Sequence, residues 1–218
     1  MVLARWSTFR HRGWSRRFAT TATNSCCCTS ANVVLGSRPY YVGLLSAAQL
    51  HGAAHQSPHV FQVMIDRQFP NRDFGRVRLR FFTNTRAANV PVALINSATT
   101  QVRVSTPEAT VFDLASRPYD SAGLSNVATV IGELAEDGKL DPSLLVSVAS
   151  MYPQSSVRRV GWLLDFLEID LDQDRLLPLL TKFDGGRPNA YLIPGGCRSG
   201  RTNRRWGLVE NTEVEPDL

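Results

Sequence analysis

The sequence predicts an α+β fold: a small, mostly antiparallel sheet, a run of helices after it, and a closing strand. Three observations lead there. Short apolar or alternating runs crowd residues 59–104, each too brief for a helix. Helix-start signals then recur from Thr106 to Asp172, with apolar residues at helical spacing between them. Near the end, WGLVENTEV returns to a strand-like pattern after the Gly- and Pro-rich stretch 185–200.

In order along the chain, Ser46 and Gln49 make a capping-box pattern, which predicts a helix over 46–55 that Pro58 stops. HVFQVMID follows as a short buried strand. RVRLRFF at 76–82 alternates strictly, so Arg76, Arg78 and Arg80 share one strand face and Val77, Leu79 and Phe81 the other. Further strands are expected at 90–96 and 100–104, and the short connections favour antiparallel pairing. In STPEATVFDLA, Ser105 and Thr106 compete as caps, Pro107 suits the first helical position, and Glu108 completes a box with Ser105, predicting a helix over 106–116. Ser125 opens NVATVIGELAE, where Val127, Val130, Ile131 and Leu134 form a stripe. Asp141-Pro142 opens SLLVSVASMY, and Ser155 or Ser156 opens VRRVGWLLDFLE. Asp172 is expected to cap DRLLPLLTKF, which Pro178 kinks or shortens.

A chain of 218 residues with 43% hydrophobic and 20% charged residues has the composition of one or two globular domains. Arg38, Pro39 and Gln49 interrupt its greasiest stretch, so no membrane span is expected. The net charge of +5 is unevenly placed. Residues 1–65 hold six Arg and no acid, whereas 66–218 hold 18 basic against 19 acidic side chains. Arg outnumbers Lys 22 to 2, which reads as coding bias and weakens every arginine motif. Cys26, Cys27 and Cys28 are adjacent and Cys197 stands alone, giving neither a disulfide framework nor a C-x-x-C spacing and pointing to a reducing compartment.

The first 38 residues combine Arg5, Arg10, Arg12, Arg16 and Arg17 with many Ser and Thr. That is a transit-peptide composition without the helical apolar stripe. A disordered or non-native basic extension is the plainer reading, and a basic arm that folds on nucleic acid is another. The expected organisation is that extension over 1–38 and a body over 39–218.

For chemistry, His51, His55 and His59 are spaced by four, as two helical metal ligands would be, but Pro58 intervenes and no acid or Cys lies nearby in sequence. No metal and no cofactor are expected. Glu108 and Asp113 are five apart and do not share a helix face. Neither a nucleophile elbow, a P-loop nor a dinucleotide fingerprint occurs, so no enzyme is announced. The binding candidates are Arg76, Arg78 and Arg80, about 7 Å apart along one strand face, with Arg67, Arg72 and Arg86 in flanking loops. They suit phosphates or an acidic partner; a solvent-facing strand in an arginine-biased protein is the bland alternative. Arg198, Arg201, Arg204 and Arg205 read as a solvated loop.

The order YYVGLLSAAQLHGAAHQSPHVFQVMIDRQ, RVRLRFF, VRVSTPEATVFDLA, GLSNVATVIGELAE, VRRVGWLLDFLE, NRRWGLVENTEVEPDL over residues 40–218 resembles the AbiEi family of abortive-infection antitoxins and transcriptional regulators. The resemblance implies a non-enzymatic, cytoplasmic bacterial antitoxin of a type IV toxin–antitoxin system. Its implied partner is a nucleotidyltransferase-like toxin, with repression of its own operon and no membrane contact. Members of the family are similar in pairing an N-terminal winged-helix DNA-binding domain with a C-terminal domain needed for antitoxicity. Residues 1–38 do not match that winged helix. A different class of reading is a DNA-binding repressor acting through the basic arm and the strand-face arginines; a metal-dependent hydrolase or nuclease, resting on the histidines and scattered acids, is a third.

Overall fold

The computed structural model describes residues 38–53, 60–74, 77–96, 101–186 and 188–217. Most of the leader expected over 1–38 lies outside them, as do His55, His59 and Arg76.

The first half forms a six-stranded sheet from β1 (Tyr40–Val42), β2 (Phe61–Ile65), β3 (Arg72–Phe74), β4 (Val77–Thr83), β5 (Val92–Asn96) and β6 (Gln101–Ser105), in the spatial order β3-β4-β2-β1-β6-β5. The pairs β1·β2, β3·β4 and β5·β6 are antiparallel; short connections account for β3·β4 and β5·β6, whereas residues 43–60 separate β1 from β2. The β1·β6 and β2·β4 pairs are parallel. The second parallel pair arises because β3 takes the outer edge and β4 turns back into the gap beside β2. β1 and β3, each of three residues, are too short for an alternation pattern to announce them.

Alternation divides the sheet's side chains between two apolar clusters. Tyr40, Val42, Val63, Ile65, Leu79, Val102 and Val104 belong to one, whereas Tyr41 and Met64 point the other way and join the larger helical core.

Five α-helices among the described residues build that core. α1 (Leu44–Leu50) starts two residues before the expected cap and ends well short of residue 55. Ser46 does not cap it: its Oγ accepts from Gln62 N at 2.9 Å and lies 3.4 Å from Val60 O, fastening the helix to β2. α2 (Pro107–Ser116) starts where expected, with Thr106 as the cap, accepting from Ala109 N at 3.4 Å. The box with Ser105 does not form. Ser105 Oγ instead meets Thr110 Oγ1 at 2.7 Å, and Glu108 accepts from Asp141 N at 3.1 Å, so a residue expected to serve its own helix ties down the start of another. Residues 108–115 of α2 are all buried, and the other helices pack around it.

α3 (Leu124–Glu136) begins after Gly123 rather than at Ser125. α4 (Pro142–Ala149) is capped by the Asp141 side chain, as its Asp-Pro start predicts, at 2.8 Å from Ser143 N and 3.0 Å from Leu144 N. α5 (Gln154–Phe166) begins after Pro153, with Ser156 buried inside it. After it the chain makes only a 3-10 helix over Gln173–Leu179, containing Pro178; Asp172 adopts a left-handed conformation and offers it no side-chain cap.

The closing strand exists but is not alone. β7 (Ala190–Tyr191), β8 (Arg201–Asn203) and β9 (Leu208–Glu210) form a second sheet, ordered β7-β9-β8. It is bolted to α5. The Trp206 ring lies so close to Gly161 that a Cβ there would be 2.2 Å from it, and its Nε1 donates to Asp165 at 2.7 Å. Arg158 and Arg159, 2% and 4% exposed, donate to carbonyls of Trp206, Thr181, Tyr191 and Ala115. The final residues run back over α3, where Glu215 N and Asp217 N donate to Ser125 and Thr129.

Candidate functional site

The arginine row is distributed unevenly. Arg78 and Arg80 share a face of β4, as the alternation requires. The helical layer covers that face as far as Gln62, opposite Arg80, whose Nε2 donates to Asp120 O at 2.8 Å. Arg78 is exposed, with no ion pair to a described residue. Arg80 is half-buried and donates to Asp73 on β3 at 2.6 Å, a bond that holds the Asp73 carboxyl below its usual range. Arg67 is exposed in the turn after β2 and lies 3.6 Å from Asp66. Arg86, also exposed, donates to Met151 O at 2.9 Å and ties the segment after β4 to the helical layer. Arg72, expected in a loop, lies in β3, and the register puts it on the face opposite Arg78. Two residues of the expected row, Arg78 and Arg80, thus stand together, while Arg67 and Arg86 flank them at separate places.

Sequence reasoning missed a buried polar knot between sheet and helices. Asp113 on α2, 1% exposed, accepts from the Tyr41 hydroxyl at 3.1 Å and the Tyr152 hydroxyl at 2.9 Å, both at Oδ1. Asn84 Nδ2 donates to the Tyr41 oxygen at 2.9 Å. Oδ2 has no partner among the described residues. It faces Gly43, where a Cβ would approach it to 3.1 Å and Met64 to 2.6 Å, so only glycine lets β1 turn into α1 over the carboxyl. Burial pushes the Asp113 carboxyl up to about 7, against the two tyrosine bonds and the Arg117 charge, which pull it down. Sealed from solvent, this carboxyl offers a substrate no approach. It joins β1, α2 and the end of α4.

His51 is likewise internal. Its Nε2 lies 2.7 Å from Ser105 O, so that nitrogen carries the proton, and burial lowers the imidazole's affinity for a second one. Among the described residues, no group of three His, Cys, Asp or Glu side chains converges on a metal position, and no helix is long and apolar enough to cross a membrane. An open groove of about 320 Å³ lies beside Asp165, Glu168, Asp170, Gln173 and Arg205, but the Asp165 oxygens are already engaged by Trp206, Arg205 and Gln173.

A family model described as the AbiEi antitoxin C-terminal domain matches residues 41–166, from the first strand to the last residue of α5. This chain belongs to that family. An antitoxin role in a toxin–antitoxin system accompanies membership. The AbiEi match holds the six-stranded sheet and all five α-helices, and ends where the second sheet is still to come. Among solved structures, the crystal structure of the RV2827C protein from Mycobacterium tuberculosis is similar to this AbiEi chain in fold. Its TM-score is 0.63 at 16% identity over 87% of this chain and 68% of the other. No curated protein matches the sequence.

Proposed function

We propose that this AbiEi-family chain is the cytoplasmic, non-enzymatic antitoxin of a type IV toxin–antitoxin pair, that it opposes a nucleotidyltransferase-like toxin, and that it represses its own operon. The family match over the sheet and helices carries the antitoxin part of this reading. The finer parts rest on the resemblance and on chemistry. The Asp113 carboxyl is sealed and His51 is internal, so neither faces a substrate, and the opposition is read as binding rather than catalysis. For nucleic acid, the contact row is Arg78 and Arg80 of β4, with Arg76 two positions before Arg78 in the sequence and Arg67 and Arg86 flanking; guanidinium groups at strand spacing suit successive phosphates.

The experiment is co-expression of the chain with the nucleotidyltransferase-like gene beside its own. Rescue of growth is expected, and growth arrest unrelieved by a well-expressed antitoxin would overturn the reading. In the same strain, Arg78→Gln with Arg80→Gln should derepress an operon reporter while leaving growth rescue within about twofold of wild type.

A further inference from the structure

A second basic feature lies on the face of the sheet opposite Arg78 and Arg80. Phe69, in the turn between β2 and β3, meets Phe81 of β4 edge-on, with ring centroids 4.9 Å apart and planes at 68°. Two guanidinium groups converge on Phe69. Arg38 Cζ lies 5.6 Å from the ring centroid and Arg72 Cζ lies 5.8 Å from it. Sharing one ring holds the two cations within about 11 Å of each other, although one precedes β1 and the other lies in β3.

The two arginines differ from their neighbours in what balances them. Arg67 has Asp66 and Arg80 has Asp73, whereas the guanidinium groups of Arg38 and Arg72 are exposed and make no ion pair or hydrogen bond to a described residue. Like charges held around one ring repel. The ring's negative face offsets part of that repulsion, and it steadies each planar group while leaving the N–H donors at its edge free. A guanidinium fixed in this way loses little freedom on binding, and its fork of donors matches the paired oxygens of a phosphate. Two such forks on one ring suit a repeated anion better than a single one.

The geometry points to a phosphodiester-binding clamp made by Arg38, Phe69 and Arg72, which grips the backbone of a nucleic acid from the side of the sheet away from Arg78. The site recognises the chain of phosphates rather than base sequence, because neither guanidinium is aimed by a second protein partner toward a base edge. It does not depend on the antitoxin reading, since it rests on residues outside the proposed row.

The test uses the full chain and fluorescently labelled probes of equal length, one duplex DNA and one single-stranded RNA, titrated at several salt concentrations. Arg38→Gln with Arg72→Gln is expected to weaken binding at least tenfold and to reduce the salt slope on duplex DNA by about two, one per lost phosphate contact. Thermal unfolding of that variant should match wild type. Phe69→Leu, which keeps an apolar side chain and removes the aromatic platform, should weaken binding by a smaller factor. A loss on DNA alone identifies a duplex as the ligand, a loss on RNA alone a single strand, and either supports the clamp. The control is Arg198→Gln with Arg201→Gln, the same charge change just before and at the start of β8 in the second sheet. Equal losses for clamp and control variants would overturn the proposal. So would inorganic phosphate displacing the polymer at equal phosphate concentration, because then only an isolated ion is bound. Growth rescue against the toxin reports on the other reading, so either can fail alone.

Discussion

At the scale of single residues, Asp113 shows how far a side chain's role can lie from its sequence neighbourhood. Its partners Tyr41 and Tyr152 are 72 and 39 positions away. Nothing in STPEATVFDLA distinguishes it from a surface aspartate on an amphipathic helix, and its spacing from Glu108 misleads, since both prove buried for unrelated reasons. The carboxyl has a consequence for pH. In the unfolded chain it loses its proton near 3.8, whereas in the fold burial holds the proton up to about 7. The stability this group contributes is therefore fully present below about pH 4 and is lost as pH rises through 7, by up to about 4 kcal/mol. Urea midpoints between pH 4.5 and 8 should fall for the wild type. They should change less for Asp113→Asn, whose amide oxygen still accepts from both tyrosines; an identical slope in the two proteins would show that Asp113 titrates normally.

At the scale of elements, local chemistry was the most legible part of the chain. Thr106-Pro107 and Asp141-Pro142 start helices where they stand because a cap and a proline at the first position act within four residues. The Ser46 box failed because tertiary contact outbid it: the hydroxyl is worth more to the backbone of β2 than to its own helix. The alternation in RVRLRFF put Arg78 and Arg80 on one face correctly. Arg72 was expected beside the row in a loop, but its meeting with Arg38 escaped notice because no spacing rule joins residues that meet only through the ring of Phe69. The cap of α4 gives the simplest measurement at this scale. Asp141→Ala leaves the amides of Ser143 and Leu144 without their acceptor and should cost about 1 kcal/mol in denaturant titration, with the m-value unchanged. A loss under a few tenths would show that water serves those amides as well.

At the scale of the whole molecule, the α+β class followed from the succession of short runs and capped helices, but the sheet order did not. Composition cannot say that β4 slips between β3 and β2, or that the second sheet forms at all, because its strands are two or three residues long and owe their place to α5. We propose that the antitoxin body begins at 39 and that the basic leader before it is dispensable for folding. Removing residues 1–38 should then leave the melting temperature within about 5 °C of the full chain. A larger fall, more than about 1 kcal/mol for a chain of this size, would mean that the leader shields apolar surface.

The junction between α5 and Trp206 bears on where this protein can be cut. A fragment ending with the family match at 166 would shear away the indole that roofs Gly161 and the carbonyls of Thr181, Tyr191 and Trp206 that receive Arg158 and Arg159. Two adjacent cations would be stranded on a greasy helix with most of their acceptors gone. Anyone trimming the gene to its recognisable portion would be removing a keystone rather than a tail.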